Sequence, residues 1–522
     1  MADDILNKIV ERRCADIERL GFAYGVDIPK VRRVGHAEFL GVPGAILEVK
    51  RASPSKGDIA PDLNSVALAT TYADAGAQGI SVLTEENFFK GSLRDLIAVA
   101  DAMSIGDESL GSARKKRCAV LRKDFLLFEE EVDVAYRCGA DAVLLIARIL
   151  GDEQLFKMAV RAKHFDLQAF VEVREKDDLR KLDMLLEKLP DAQRTVVAGV
   201  NSRDLVTFHT DALVPAALRN KLPTKAVFES GVHNAADAAF ARSLGFTGIL
   251  VGEAVAKNPP LAKELVKSFG EQKENRRGIF WKEIAERRYS RVSKTLRPLI
   301  KICGITEVDD GLAAVRLGAD LLGFMFAESP RKTNEDFVRN FYSLIKREFI
   351  CNEDDGNRKR PLLVGVITDP NSVEGKTAIR LAKEGILDAV QFHGIATPAF
   401  NESKNDFGCY QVERISEASD FAIVDASATA GEPRILLDAK VEGVLGGSGK
   451  RIPEEVLEAK SREFPLWLAG GITPQNVSQI ISKFAPELID VSSGVEDRPG
   501  KKSLAKMKEL FRAVDVIKSS LN

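Results

Sequence analysis

Short apolar runs alternate along the chain with longer stretches of helical length. In the first half, eight runs rich in β-branched residues predict strands at 45–50, 79–84, 119–124, 142–147, 169–174, 196–201, 226–230 and 248–253. The second half has eight more, at 299–305, 321–326, 362–367, 389–394, 409–413, 434–439, 466–471 and 488–493. Strands that alternate with helices are typical of parallel sheets with crossover connections. Two sets of eight such units predict an α/β fold with two tandem TIM (β/α)8 barrels.

A polar, positively charged stretch separates the two predicted barrels. It begins near the pair Pro259–Pro260 and continues through KENRRGIFWKEIAERRYSRVSKTLR at 273–297. We interpret its positive excess as a solvated surface. The expected division of the chain is a first barrel with an N-terminal helical extension at 1–258, a linker or terminal helix at 259–297, and a second barrel at 298–522.

Composition and charge narrow the function classes. The 522 residues are 45% hydrophobic and 29% charged, as in ordinary globular proteins, and the length suits two barrels of about 250 residues each. The net charge of -2 gives no general attraction to nucleic acid or anionic membranes, so an anionic substrate requires local positive groups. The six cysteines form no C-x-x-C pair and predict neither disulfides nor a metal site, which indicates a reducing, cytoplasmic compartment.

Ionisable side chains lie at the ends of five predicted strands in the first half. Function in a TIM barrel is placed at these carboxyl ends, and charged residues seldom lie within apolar strands unless they are paired or functional. A barrel-end salt bridge would explain any one of them, but five strands together predict a site that holds both an acid and a base. The charged residues and their neighbours at these strand ends are Glu48, Lys50, Arg122, Lys123, Asp124, Glu172, Asn201, Arg203, Glu229, Ser230 and Gly231.

Turns of small residues follow the last two strands of the same half. They are ESG at 229–231 and VGEA at 251–254. Backbone N–H groups in such turns receive a phosphate in many barrels. Each glycine alone has the alternative interpretation of a simple turn residue.

The motifs EVKRASPSKG (48–57), VLRKDF (120–125), FVEV (170–173), GVNSRDL (199–205) and ESG (229–231) occur in this order. Across about residues 1–260 the chain therefore resembles indole-3-glycerol-phosphate synthase. The resemblance implies that 1-(2-carboxyphenylamino)-1-deoxyribulose 5-phosphate is cyclised to indole-3-glycerol phosphate with loss of CO2 and water.

The same resemblance assigns roles to residues of the first half. Lys123 would be the general acid that protonates the substrate carbonyl, and Glu172 the acid/base of the dehydration, assisted by Glu48 and Lys50. A further set would shape the site around the ring and sugar: Asn201, Arg203, Glu229 and Ser230. The phosphate would be held by Lys50, Ser53, Gly231 and Gly252. Glu253 departs from the family, which often has a small residue there.

A cysteine and an aspartate mark the second half. Cys303 lies in KICGIT (301–306) at the end of the first strand, beside Gly304 and near Lys301, which is the place for a reactive thiol rather than inert packing. Asp438 ends the sixth predicted strand before the loop VLGGSGKR (444–451), although a surface aspartate is the alternative. Small residues in LAGGIT (468–473) and DVSSGVE (490–496) predict a phosphate site after strands seven and eight.

Residues 298–520 resemble phosphoribosylanthranilate isomerase, through KICGIT, SPRK (329–332), QFHG (391–394), LLD with GGSGK, LAGGITPQNV and DVSSGVEDRPGKK. The implied reaction is the Amadori rearrangement of N-(5-phosphoribosyl)anthranilate. Cys303 would be the general base and Asp438 the general acid, with Asp425 of FAIVDA as a competing acid. Arg331 would contact the anthranilate, with His393 nearby. The phosphate would rest on Gly470, Gly471, Ser493 and Gly494.

The resemblances imply one bifunctional enzyme of tryptophan biosynthesis, because the isomerase product is the synthase substrate. Neither reaction requires a metal or another cofactor, and the expected partners are phosphorylated small molecules, without nucleic acid or membrane. We expect a monomer. The alternatives are a chain with one active half, an inactive phosphate-binding scaffold, and a generic barrel phosphosugar isomerase or aldolase. Retention of Lys123, Glu172, Cys303 and Asp438 argues against the first two, and the family motifs argue against the third.

Overall fold

The computed structural model describes residues 5–104, 117–204, 208–223, 225–289, 297–351, 359–395, 406–417, 420, 433–439, 452–460 and 465–520. Its contacts divide the chain into two compact units, Met1–Glu274 and Asn275–Asn522. Within the described residues, no helix combines the length and the apolar character needed to span a membrane.

The first unit is a closed barrel of eight parallel strands. The unit's strands are Gly44–Val49 (β1), Ala52–Ser53 (β2), Gly57–Asp58 (β3), Gly79–Leu83 (β4), Ala119–Lys123 (β5), Ala142–Ile146 (β6), Gln168–Val173 (β7), Val196–Asn201 (β8), Ala226–Glu229 (β9) and Gly248–Val251 (β10). β2 and β3 form a separate antiparallel pair, and the other eight close the barrel where β1 pairs with both β4 and β10. The barrel strands are buried almost throughout, which explains their continuous apolar runs.

The first unit has one helix ahead of β1 and further helices between and after its strands. They are Ile5–Leu20, Ser65–Asp74, Leu93–Ser104, Glu129–Arg137, Asp152–His164, Lys176–Lys188, Ala192–Thr195, Leu213–Leu218, Ala235–Ser243, Glu253–Lys257 and Leu261–Glu271, with a 3-10 turn at Arg219–Lys221. Local sequence fixes several starts: the Asn64 side chain accepts a hydrogen bond from the backbone N–H of Ala67, and Asn234 caps its helix in the same way.

The second unit is another closed parallel barrel. Its strands are Leu299–Cys303 (β11), Leu321–Met325 (β12), Leu362–Ile367 (β13), Ala389–His393 (β14), Cys409–Ile415 (β15), Leu436–Ala439 (β16), Trp467–Leu468 (β17) and Leu488–Val491 (β18), followed by the hairpin Glu496–Arg498 (β19) and Lys501–Lys502 (β20). Its helices are Arg276–Tyr289, Val308–Leu317, Glu335–Cys351, Val373–Glu384, Glu454–Lys460, Val477–Phe484 and Leu504–Ser520, with a 3-10 turn at Ser493–Val495. The prediction of two tandem TIM barrels is confirmed.

The helix Arg276–Tyr289 packs against the amino-terminal ends of the second barrel's strands. Its Phe280 ring stacks on Tyr410 of β15 at 6.1 Å between centroids, and its Trp281 ring lies 5.6 Å from Trp467 of β17. The prediction of a solvated surface is wrong for this helix, which also buries basic residues. One of them, Arg287, donates a hydrogen bond to the Arg360 carbonyl. The contacts of Phe280 and Trp281 stabilise the helix against the barrel, because burying large rings removes much apolar surface from water.

Candidate active sites

The first barrel gathers its predicted residues at the carboxyl ends of its strands. They line two cavities, of about 100 and 60 Å³, that share several wall residues. The residues common to both walls are Glu48, Lys50, Lys123, Arg203 and Ser230. Glu172, Asn201 and Ser53 line the larger cavity, while Gly231 and Gly252 line the smaller one. Glu229 reaches the site through its contact with Lys123.

Lys123 lies among three carboxylates. Its Nζ is 3.5 Å from Oε2 of Glu48 and 3.4 Å from Oε2 of Glu229. Burial opposes the charge on Lys123, but Glu48, Glu229 and then Glu172 outweigh it and raise the pKa of the ammonium. At neutral pH Lys123 therefore holds its proton, as a general acid must before it reacts.

The neighbouring carboxylates titrate in opposite directions. Burial favours the neutral form of Glu48, yet Lys123 and Lys50 lower the pKa of this carboxyl. Burial raises the pKa of Glu172 even though Lys123 and a hydrogen bond from Asn201 oppose it. Burial, followed by the charge of Glu172, also raises the pKa of Glu229. The site thus combines one carboxyl whose pKa is lowered with two whose pKa values are raised, which is the separation that acid–base chemistry needs.

A strained turn ends strand β9. Ser230 has a φ of 65°, in the left-handed region that residues other than glycine seldom adopt, and Gly231 follows at 73°. The Ser230 hydroxyl donates to Oδ1 of Asn201 at 2.8 Å. This hydrogen bond joins the ends of β8 and β9. It helps to hold the strained turn, whose residues Ser230 and Gly231 line the smaller cavity.

Apolar residues form the part of the first site that sequence reasoning missed. Ile5, Leu6 and Ile9 of the N-terminal helix line the larger cavity together with Phe89 and Phe125. A search for ionisable residues at strand ends cannot find them, because their apolar spacing is also that of any packed helix. The wall they form suits a flat aromatic ring.

The second barrel holds a cavity of about 440 Å³ at the carboxyl ends of its strands. All eight residues predicted for this half line it: Cys303, Arg331, His393, Asp438, Gly470, Gly471, Ser493 and Gly494. Asp425 and the loop 444–451 lie outside the described residues, so the choice between the two aspartates stays a prediction. Among the residues the structure describes, no group of three potential metal ligands occurs.

The acid and the imidazole of this cavity are both shifted by burial. Burial raises the pKa of Asp438 to about 6 despite a hydrogen bond from the Ala439 backbone. Burial, followed by the positive charge of Arg414, lowers the pKa of His393 to about 4. Although His393 Nε2 lies 3.8 Å from Oδ2 of Asp438, the imidazole is neutral at pH 7 and the contact is not an ion pair.

Arg331 is held by a bidentate ion pair. Its Nε and Nη2 donate to Glu496 at 2.9 and 2.8 Å. The guanidinium lines the cavity beside Cys303, with Gly304 so close that a Cβ there would lie 2.6 Å from Arg331 Cδ. The orientation of the Arg331 guanidinium is therefore fixed before a ligand binds.

The glycine turns close the far side of the cavity. Gly470 and Gly471 have φ angles of 85° and 60°, which explains why β17 ends at Leu468 rather than at the predicted residue 471. A Cβ on Gly494 would lie 1.9 Å from the Ile472 carbonyl oxygen, so no larger residue fits. The two turns meet and turn small residues toward the cavity.

Asp438→Asn is expected to stabilise the second barrel at neutral and alkaline pH. The folded pKa of about 6 lies above the ordinary value near 4, so the folded state binds more protons and its stability falls as pH rises through that window. Asparagine does not titrate, and its advantage should grow by about 1 kcal/mol between pH 5 and pH 8. The measurement is urea unfolding followed by fluorescence of Trp281 and Trp467, the only tryptophans of the chain, which both lie in this unit.

Asp497→Asn is the matched control, because this carboxyl is exposed. An equal gain in both variants, or a gain for Asp438→Asn that does not change with pH, would contradict the burial of a titrating carboxyl.

Each unit is a parallel barrel with acid–base side chains and glycine turns around a cavity at the carboxyl ends of its strands, which makes the chain a double-barrel protein with two candidate active sites. Residues 36–267 match the family model described as indole-3-glycerol phosphate synthase, and residues 300–513 match that of N-(5'-phosphoribosyl)anthranilate (PRA) isomerase. The chain belongs to the family of tryptophan-biosynthesis proteins that join these two domains.

Several relatives share both halves. A tryptophan biosynthesis protein of Phytophthora nicotianae is 31% identical over 492 residues, which cover 85% of this chain and 86% of that protein. A multifunctional tryptophan biosynthesis protein of Schizosaccharomyces pombe is 33% identical over 90% of this chain and 59% of its own length, so the chain spans about three fifths of that relative. A crystal structure of phosphoribosyl anthranilate isomerase from Thermotoga maritima is 27% identical, covering 42% of this chain and 99% of that one, with a TM-score of 0.35.

Proposed function

We propose that the chain catalyses two consecutive steps of tryptophan biosynthesis. The second barrel isomerises N-(5-phosphoribosyl)anthranilate, and the first converts the product to indole-3-glycerol phosphate. The observation that carries the proposal is that every residue expected for each reaction lies around a cavity of one barrel or touches a residue that does.

In the first barrel, Lys123 protonates the substrate carbonyl as the aromatic carbon attacks it. The ammonium is suited to this step because Glu48 and Glu229 keep it charged. Loss of CO2 restores the ring, and Glu172 then moves the protons that release water. The apolar wall around Leu6 and Phe89 excludes water from the aromatic ring, which strengthens these polar interactions.

In the second barrel, Asp438 donates a proton to the ribose ring oxygen and the ring opens. Cys303 takes the proton from C2, and the resulting enol becomes the ketone of the Amadori product. The raised pKa of Asp438 supports its role as the acid, since a protonated carboxyl is then available near neutral pH. Arg331 lines the cavity, which supports its pairing with the anthranilate carboxylate.

The purified full chain, supplied with phosphoribosylanthranilate, should consume it and release indole-3-glycerol phosphate, each followed by its own fluorescence. Expression of the chain should also restore growth without tryptophan in cells that lack either activity. Consumption without formation of the indole would remove the synthase half of the proposal, and failure in both cell lines would remove both halves.

The chain as a whole is proposed to be a cytoplasmic monomer. Cys14, Cys118, Cys138, Cys303 and Cys409 are free thiols, which supports a cytoplasmic location. Each cavity is lined by residues of a single unit, which supports a monomer that needs no second copy. For the domains we propose barrels within 1–258 and 298–522. The segment 259–297 between them contains the helix Leu261–Glu271, which lies in the first unit, and the helix Arg276–Tyr289, which lies in the second. Light scattering of the purified chain tests the monomer.

Glu253→Ser is expected to lower the KM of the synthase reaction about fivefold and to leave kcat unchanged. The Glu253 carboxylate lines the smaller cavity beside Gly252, 3.9 Å from Arg203 and 2.7 Å from Lys257. It therefore repels a substrate phosphate bound there and competes with it for Arg203. The gain should shrink in high salt, which screens the repulsion.

Steady-state kinetics of the two variants Glu253→Ser and Glu187→Ser at low and high salt make the comparison. Glu187 is an exposed residue near the end of the helix Lys176–Lys188. If Glu253→Ser leaves KM unchanged at low salt, the phosphate does not bind at the turn 251–254.

A further inference from the structure

A polar cluster lies inside the second barrel, directly below the cavity. The Lys301 side chain is fully buried there, and its Nζ donates to Oδ2 of Asp490 at 2.6 Å and to Oε1 of Gln391 at 2.7 Å. The hydroxyl of Tyr410 donates to the same Gln391 oxygen at 2.8 Å. A buried lysine is rare in a barrel interior that is otherwise filled with apolar residues, so its position needs a reason.

The spacing along β11 aims this lysine at the thiol. Lys301 and Cys303 are two residues apart, and alternation along a strand turns both side chains to the barrel interior. Burial raises the pKa of the Cys303 thiol above its ordinary value, and the charge of Lys301 and its hydrogen bond to the thiol limit this rise. The charge of Asp490 acts in the opposite direction.

A second buried lysine approaches Cys303 from the hairpin β19–β20. The Lys502 ammonium donates to the Cys303 carbonyl at 2.5 Å and to Oε1 of Glu496 at 2.7 Å. Its side chain is fully buried, and its charge also lowers the pKa of the thiol. Glu496 is shared with Arg331, which lies on the cavity side of Cys303.

The charges around the thiol do not balance while it is protonated. Lys301, Lys502 and Arg331 supply three positive charges, and Asp490 and Glu496 supply two negative ones. In a buried site an excess charge is costly, and a thiolate at Cys303 would neutralise it.

The other titratable groups of the described interior do not alter this sum at neutral pH. The pKa of Tyr410 is raised by burial, so its phenol stays neutral. His393 is neutral because burial lowers its pKa. Asp438, with a pKa of about 6, is mostly ionised at pH 7, but the positive charge of Arg414, which acts on both Asp438 and His393, offsets this negative charge. The protonated fraction of Asp438 is the proton donor of the proposed reaction.

We propose that Lys301 is a positioning residue that sustains the thiolate of Cys303, and that Asp490 limits this effect. The inference rests on the proposed function, in which Cys303 is the base of the isomerase. The step it supports is a single proton transfer: the thiolate takes the C2 proton of the opened substrate and becomes a thiol. Lys301 keeps its own proton throughout and touches no reacting atom.

The test is the pH dependence of Cys303 alkylation by iodoacetamide in the full chain, with the modified peptide identified by mass spectrometry. The thiol lines an open cavity, so a small reagent reaches it. Lys301→Met should raise the apparent pKa of the thiol by about one pH unit or more, and Asp490→Asn should lower it by a similar amount. In the double variant, which buries no unpaired charge, the apparent pKa of the Cys303 thiol should be close to that in the unchanged chain.

Opposite shifts are the decisive result, because a merely structural pair would disturb the thiol in the same direction when either partner is lost. Shifts of the same sign, or no shift in Lys301→Met, overturn the inference. Lys383→Met is the control, since this lysine is on the exposed surface of the same unit. Tryptophan fluorescence checks that each variant is folded.

A separate measurement tests the proposed function independently of the inference about Lys301. If Cys303→Ala keeps its isomerase activity while the alkylation shifts occur as expected, Cys303 is not the base, yet Lys301 still controls its titration.

Discussion

Lys123→Ala is expected to slow the formation of indole-3-glycerol phosphate by about 10²- to 10⁴-fold and to leave the isomerase reaction unchanged. The variant removes the proton donor at the carbonyl. It also removes the positive charge that lies within 3.5 Å of both Glu48 and Glu229. The carboxylates then repel each other, the pKa of Glu172 rises further, and the dehydration slows as well.

Single-turnover fluorescence with the synthase substrate measures this loss directly. Lys157→Ala is the control, because Lys157 is an exposed lysine on a helix of the same barrel. In case the unpaired carboxylates unfold the barrel, Lys123→Met combined with Glu229→Gln keeps the site closer to neutral. If either variant retains more than a tenth of the normal rate, Lys123 is not the acid.

Cys303→Ala is expected to produce the reverse pattern, an isomerase rate reduced by about 10²- to 10⁴-fold beside an unchanged synthase rate. Alanine keeps the backbone of β11 and removes the group that accepts the C2 proton. Cys303→Ser should be nearly as slow, because a hydroxyl is a far weaker acid than a thiol and is not ionised at neutral pH. The decrease of phosphoribosylanthranilate fluorescence under single-turnover conditions measures the rate.

Cys409→Ala is the matched control for that experiment. Cys409 is buried in the same barrel but does not line the cavity. Loss of the synthase rate in Cys303→Ala would show that the two sites are not independent, and an unaffected isomerase rate would exclude the thiol as the base.

The barrel architecture was predictable because each strand is a compact apolar run between helical stretches, and the periodicity of burial is local. Strand ends were less accurate where special backbone intervenes. The left-handed Gly470 and Gly471 shorten β17, and β15 continues to Ile415, beyond the predicted residue 413. The carboxyl-end rule of TIM barrels then brought residues from distant strands to one place.

What could not be predicted depends on contacts across the barrel. Lys301 and Asp490 are 189 residues apart, and no local pattern signals that they pair. The one available signal was a charged residue inside each apolar strand, LIKIC and LIDV. Likewise Arg13 of the N-terminal helix donates to Asp124 at 2.8 Å, behind Lys123, across 111 residues.

The packing of the helix Arg276–Tyr289 decides where the polypeptide tolerates fission. If the chain is split ahead of Asn275, the second fragment keeps Phe280 and Trp281 against Tyr410 and Trp467. A split at residue 298 instead removes Phe280 and Trp281 from the second fragment. Tyr410 and Trp467 then face water, which favours aggregation. For this chain, a division ahead of the helix is therefore expected to give a more soluble second fragment than a division after it.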